Sequence, residues 1–186
     1  MPLKEFLEEL KDEFDGVMES KQQIEGRAGS IVTVSGTVAP LLFGFGTYLL
    51  SNIAPDYYLR TYIFGALASG IIAALISLLS GILVAYSRTK YRFPMSYEPF
   101  YKNGQLDKDM VEKFKKASPE TFSNRMIEEY LEAIKINTER NSSKAFRVQF
   151  SQWSLFVTIL FILVLIIFLG MAMHDDKIVI KPLTGG

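Results

Sequence analysis

Three stretches of the chain carry no Asp, Glu, Lys or Arg: Ala28 to Pro55, Thr61 to Ser87 and Val148 to Met173, of 28, 27 and 26 residues. The hydrocarbon core of a bilayer, about 30 Å thick, takes roughly 20 apolar residues of helix to cross. The pattern therefore predicts three transmembrane helices, near Ile31 to Leu50, Tyr62 to Tyr86 and Trp153 to Met173. As core helices of a water-soluble protein they would leave too little amphipathic sequence to cover them. Backbone groups inside a bilayer must be satisfied within the span, which requires helices. Pro40 in the first span predicts a kink, its freed carbonyl met by Ser35 or Thr37.

Outside these windows the pattern turns amphipathic. Leu3, Leu7, Leu10, Phe14, Val17 and Ile24 recur in heptad-like steps, interrupted by Lys21 and widened by Phe6 and Met18. The opposite face is acidic, with Glu5, Glu8, Glu9, Asp12, Glu13, Asp15 and Glu19. A helix lying on anionic lipid would present Lys and Arg there, so this stripe is expected to dock on another helix. A candidate partner begins at Ser118-Pro119-Glu120: a capping hydroxyl, a proline at the first position and an acid at the positive end of the dipole. Neither Pro nor Gly follows until Gly170, so one helix is expected to run on into the third span, with Phe122, Met126, Tyr130 and Ile134, flanked by Ile127 and Leu131, as its apolar face. The charges complement each other: four Lys or Arg against eight Asp or Glu in residues 1–30, and 13 against nine in residues 88–150. A short helix is expected near Asp107 to Ala117, with Met110, Val111 and Phe114 on one side.

The chain thus divides into an acidic amphipathic helix (1–30), a two-span hairpin (31–87), a basic helical segment (88–150), a third span (151–173) and a tail (174–186). The fold class is all-α: an integral membrane protein with three spans and a cytoplasmic helical layer. Lys and Arg number four before the first span, one in the first loop, 13 between the second and third spans and two in the tail. The positive-inside bias then puts residues 1–30 and 88–150 in the cytoplasm of a multi-pass cell-membrane protein, with the Ser51 to Arg60 loop and the C-terminus outside. The first 27 residues, charged and mostly acidic, do not read as a cleaved signal peptide. Arg27, Arg88, Lys90 and Arg92 flank the membrane as anchors, or as a cradle for an acidic headgroup. Tyr57, Tyr58, Tyr62, Tyr86, Tyr91 and Trp153 fall near the interfaces, where an amphipathic ring is at home.

Composition narrows the chemistry. Among 186 residues there are 20 Lys or Arg, 20 Asp or Glu, one His and no Cys. Zero net charge argues against nucleic acid as a partner, which needs a surplus of basic residues to displace counterions. Disulfides, thiolate metal sites and Cys nucleophiles are excluded, and His174 has no second histidine to work with. No Gly-rich phosphate loop or Gly-x-Ser-x-Gly elbow is present, and no ionisable residue lies inside a span to serve as a proton relay. His174-Asp175-Asp176 reads as a hydrated exit from the membrane rather than a cation site. No enzyme activity, cofactor or metal is expected.

Small residues mark the second span. Gly65, Ser69, Ala73, Ser77, Gly81 and Ala85 follow at four-residue intervals, with Ala66, Gly70 and Ala74 alongside. In lipid, helices associate by close packing, and small side chains let backbones approach. The first span offers Gly36, Pro40 and Gly44 as a matching surface, with Gly46 nearby. A hairpin within one chain is the plain reading; contact with the same face of another subunit, or a narrow pore, is the sharper one. Packing is favoured over a pore because only Ser69, Ser77 and Ser80 are polar there. The third span is bulky all round and reads as lipid-facing. Asn137, Asn141 and Lys144 share one helical face before it. If internal, that face sets the register between helices or subunits; if external, it is a solvated face.

One further grouping follows: an acidic helix, then Glu25-Gly-Arg27-Ala28 leading into a two-span hairpin, Arg88 and Pro94 just beyond it, and Ala-Ile-x-x-Asn-x-x-x-Asn-x-x-Lys, here Ala133 to Lys144, before a last apolar helix. This organisation resembles small prokaryotic membrane proteins of the SLATT and Pycsar-effector type. The resemblance implies a module that oligomerises and, triggered by a nucleotide second messenger sensed elsewhere, compromises the membrane in antiviral defence. The chain leaves no room for a cyclic-nucleotide-binding domain, so a separate sensor is the expected partner, beside the lipid bilayer and further copies of the chain. The alternative is a structural accessory subunit of a larger membrane complex.

Overall fold

The computed structural model describes residues 3–87, 90–94, 101–102, 105–106, 108–116 and 118–175. Helix α1 (Leu3–Asn52) is followed by α2 (Arg60–Ala85), a two-residue antiparallel pair β1 (Tyr101–Lys102) and β2 (Gln105–Leu106), then α3 (Lys108–Lys116) and α4 (Pro119–His174). In that pair Tyr101 is opposite Leu106 and Lys102 opposite Gln105. Among the described residues the chain is helical apart from this pair and the connections, as the hydrophobic pattern predicts. The short pair was not foreseen: two residues a side are too few to show alternation.

Three helices, α1, α2 and α4, are long and apolar enough to cross a membrane. The acidic helix and the first span are a single helix of 50 residues, and α4 carries the chain from Pro119 through the third span in 56. Its start is capped as expected, the Thr121 amide donating to Ser118 Oγ at 3.2 Å. Pro40 lies inside α1, but the expected compensation is absent: Thr37 donates to the Thr33 carbonyl at 3.0 Å and Ser35 to Ser77 Oγ at 2.9 Å. A helical Thr or Ser bonds back to the carbonyl four residues earlier, so neither reaches that of Gly36.

The chain packs as two compact units, one of Met1–Ile24 with Arg88–Ala145 and one of Glu25–Ser87 with Phe146–Gly186. In the first, the charged unit, Leu10 and Phe14 of α1 are buried against Ala133 and Ile134 of α4, with Phe6, Val17, Met18, Ile127 and Tyr130 around them. The acidic helix thus docks its apolar stripe on α4 within one chain. In the second, the membrane unit, Leu42, Leu49, Ile53, Tyr57, Leu59, Ile63, Leu67, Leu165 and Ala172 form the core. The buried positions of α1 here run 28, 31, 35, 39, 42, 46 and 49, and those of α4 include 148, 151, 158, 165 and 172. Steps averaging 3.5 residues mark helices packed side by side at a shallow angle. Only 28%, 33% and 17% of the three most apolar windows is buried inside the chain, which leaves most of their surface to lipid or to other copies.

Candidate functional site

Polar side chains are buried at two levels, and both lie on the packed stripes. In the membrane unit Ser35, Ser77 and Ser151, one from each span, have no solvent exposure. Ser35 Oγ donates to Ser77 Oγ at 2.9 Å, Ser77 Oγ to the Ser151 carbonyl at 2.9 Å, and Ser151 Oγ to the Ser77 carbonyl at 2.5 Å. Each hydroxyl has one proton and each proton has an acceptor, so the layer is closed. Two glycines let the helices come this near. A Cβ on Gly81 would stand 2.9 Å from Val32 Cγ2, and one on Gly46 2.6 Å from Leu67 Cδ2.

Of the predicted small-residue stripe, Ala73, Ser77 and Gly81 are buried, Ser69 and Ala85 are half-buried and Gly65 is exposed. The covered face of α2 is instead Ile63, Ala66, Leu67, Gly70, Ala73, Ala74, Ser77, Gly81 and Val84. A strict four-residue repeat turns about 40° per step away from any fixed side of a 3.6-residue helix, so it crosses the contact face rather than following it. On the first span Gly36, Pro40 and Gly44 are exposed, while Gly46 is buried. Ser151 was not singled out from the sequence and Ser35 was read only as a partner for the carbonyl freed by Pro40, although both continue the buried phase of their helices.

In the charged unit Asn137, Asn141 and Lys144 are 0%, 6% and 5% exposed, so that face is internal. Asn137 brackets the backbone of Arg92, its Nδ2 donating to the Arg92 carbonyl at 2.7 Å and its Oδ1 accepting the Arg92 amide at 2.9 Å. Asn141 Oδ1 accepts the Tyr91 hydroxyl at 2.8 Å, while its Nδ2 donates to the Val17 carbonyl of α1 at 2.7 Å. The Tyr91 ring lies 4.5 Å from Lys21 Nζ and 5.1 Å from Lys144 Nζ, both ammoniums in cation–π contact. Phe93 meets Phe14 edge to face at 6.1 Å. A buried amide left without its partners costs about 1–3 kcal/mol per group, so this layer is stable only with all its members in place.

The flanking basic residues divide. Arg27 and Lys90 are exposed, Arg88 lies outside the described residues, and Arg92 turns to Glu132 at 2.6 Å and Glu129 at 3.4 Å. Arg92 is therefore an ion-pair partner of α4; its carboxylates lie one helical turn apart, which lets one guanidinium reach both. Half-exposed pairs of this kind contribute about 0–1 kcal/mol each. Tyr91, half-buried, is bound into the polar layer, whereas Tyr58, Tyr62, Tyr86 and Trp153 are exposed.

Two phenols outside the spans are displaced from their ordinary value. Tyr130, beside Phe14, is pushed up by burial and then by the Asp15 carboxylate. Tyr57, buried in the first loop, donates to Asp175 Oδ2 at 3.3 Å and is pushed up to about 12, by burial first, then by Asp175 and Tyr58. Asp175 is thereby engaged with Tyr57, and Asp176 lies outside the described residues. Among the described residues no group of three or more acidic or histidine side chains is placed to hold a metal. The Met110 and Phe114 side chains of α3 also lie outside them.

Set beside known proteins, residues 9–171 match PycTM, the Pycsar effector protein domain. The chain belongs to the Pycsar effector family. Its three long apolar helices are the transmembrane part of such an effector, and the chain is a membrane protein. The SLATT likeness drawn from the hairpin and the Asn-x-x-x-Asn-x-x-Lys segment is a close neighbour of this assignment. Comparison with curated proteins and with solved structures returns no match.

Proposed function

We propose that this Pycsar effector is a non-enzymatic membrane protein of an antiviral defence system that self-associates and perturbs the bilayer when a separate sensor partner signals to it. The observation that carries the reading is the closed interior of one copy. Among the described residues the three spans meet through apolar side chains and the fully buried Ser35, Ser77 and Ser151, whose hydroxyls are spent on one another and on the Ser77 and Ser151 carbonyls. A path across the membrane then forms between copies in this reading, and most of each apolar window is not buried within the chain. Exposed Gly36, Gly44 and Gly65 supply small residues on that surface. The Lys and Arg distribution supports a cytoplasmic charged unit and an outer Tyr57 loop.

The test is reconstitution of the full chain into liposomes and nanodiscs. We expect a mass that is a multiple of the 21.0 kDa protomer and dye release that rises steeply with protein density. A strictly monomeric protein that leaves vesicles tight at every density, yet copurifies with a partner, would replace this reading with that of an accessory subunit.

A further inference from the structure

We propose that Tyr91–Phe93 is a releasable strap whose docking into the polar layer holds α1 against α4 in the charged unit, and that the docked form is the silent state of the effector. Only the second half rests on the membrane-perturbing reading above.

The argument begins with what an ordinary helix pair would contain. On either side of this level the stripe of α4 is apolar, with Ala133 and Ile134 before it and Val148 after it. At 137, 141 and 144 the stripe turns polar, and apolar residues there would pack without any third element. Much of what these polar residues hold is brought by the strap. Asn137 spends both its amide functions on the Arg92 backbone, and Asn141 holds the Tyr91 hydroxyl with one hand and the Val17 carbonyl of α1 with the other. Lys21 of α1 and Lys144 of α4 meet on the Tyr91 ring, so strap and both helices share one set of contacts.

The hold is polar rather than greasy. Apart from the Tyr91 ring, the strap's apolar contribution is Phe93, half exposed and touching Phe14 by its edge. Once undocked, the strap's own backbone groups, the Tyr91 hydroxyl and the Arg92 guanidinium are all met by water. With the strap gone and the helices still closed, Lys21 of α1 and Lys144 of α4 lose the ring that both ammoniums share, and Phe14 loses its contact with Phe93. Strap out with helices closed is therefore the disfavoured combination, and undocking and parting occur as one two-state event. An effector of membrane damage has to be held inactive until its signal arrives, and a segment bound through exchangeable polar groups is suited to being displaced by one.

The experiment uses the full chain in nanodiscs, followed by hydrogen–deuterium exchange, and in liposomes, followed by dye release. Asn137→Ala should speed exchange of the strap amides about tenfold and carry the Leu10 to Val17 segment with it. It should also raise dye release severalfold. Because the chain has no native cysteine, an Arg92→Cys, Asn137→Cys pair can be closed with a short cleavable bis-maleimide. Closed, it should be protected and tight; cleaved, it should behave as Asn137→Ala, which shows that the released form is folded. Unchanged strap exchange in Asn137→Ala overturns the proposal, as does a strap that loosens while Leu10 to Val17 stays protected. Faster exchange of both with dye release no higher than the wild type overturns the silent-state half. If no form, locked or released, leaks at any density, the membrane-perturbing reading falls as well, and the exchange result still decides the strap.

Discussion

Gly81 sits where a Cβ would meet Val32 Cγ2 at 2.9 Å and the Ala28 carbonyl at 3.5 Å, whereas nothing lies within 4 Å of one on Gly65. Both belong to the same four-residue stripe, so the two positions separate packing from mere smallness. Gly81→Leu should destabilise the membrane unit by about 1–3 kcal/mol or more through overpacking, and Gly65→Leu should stay within about 0.5 kcal/mol. Thermal unfolding in one detergent, followed by circular dichroism, compares them. Tyr57 makes a prediction in pH. Its folded value is raised from 10.0 to about 12, so the folded chain holds the proton more tightly than the unfolded one. The associated stability is fully present below pH 10.0 and is lost as pH rises toward about 12. Tyr57→Phe should flatten the fall of the melting temperature over that window. A wild type and variant that decline in parallel would show that the Asp175 contact does not govern it.

At the scale of the element, the two long helices depend on phase. The buried positions of α1 include Leu10 and Phe14 in one unit and Ala28, Ile31, Ser35 and Leu42 in the other, all on one unbroken helix. The continuity of α4 was legible beforehand, since nothing between Pro119 and Gly170 breaks a helix. The continuity of α1 was less so, because Gly16, Gly26 and Gly29 are poor helix formers and Pro40 predicts a kink. Neighbouring helices on the buried side outweigh those propensities.

For the whole molecule the open prediction is orientation. A cysteine placed at Asp56, in the first loop, should react with a membrane-impermeant maleimide on intact cells. One placed at Glu9 should react only after permeabilisation. The reverse pattern would put the charged unit outside the cell and remove any cytoplasmic sensor as its partner. The absence of native cysteine makes each variant report a single site.

The sequence alone determined that the chain lives in a membrane, carries three windows long and apolar enough to cross it and docks an acidic helix on a second charged one. It also carried enough of the Glu25 to Ala28 and Ala133 to Lys144 segments to point to the family. These are properties of each segment by itself: transfer of an apolar window from water to oil depends on that window's own side chains. Which face of a helix is covered depends instead on where its neighbours lie, and only the tertiary structure decided it. On α2 the covered face follows 63, 66, 70, 73, 77, 81 and 84 rather than the strict four-residue line of small residues. On α4 the evenly balanced question about Asn137, Asn141 and Lys144 was settled by Tyr91 and Arg92, residues 45 or more positions away that a periodicity confined to one helix could not bring to them.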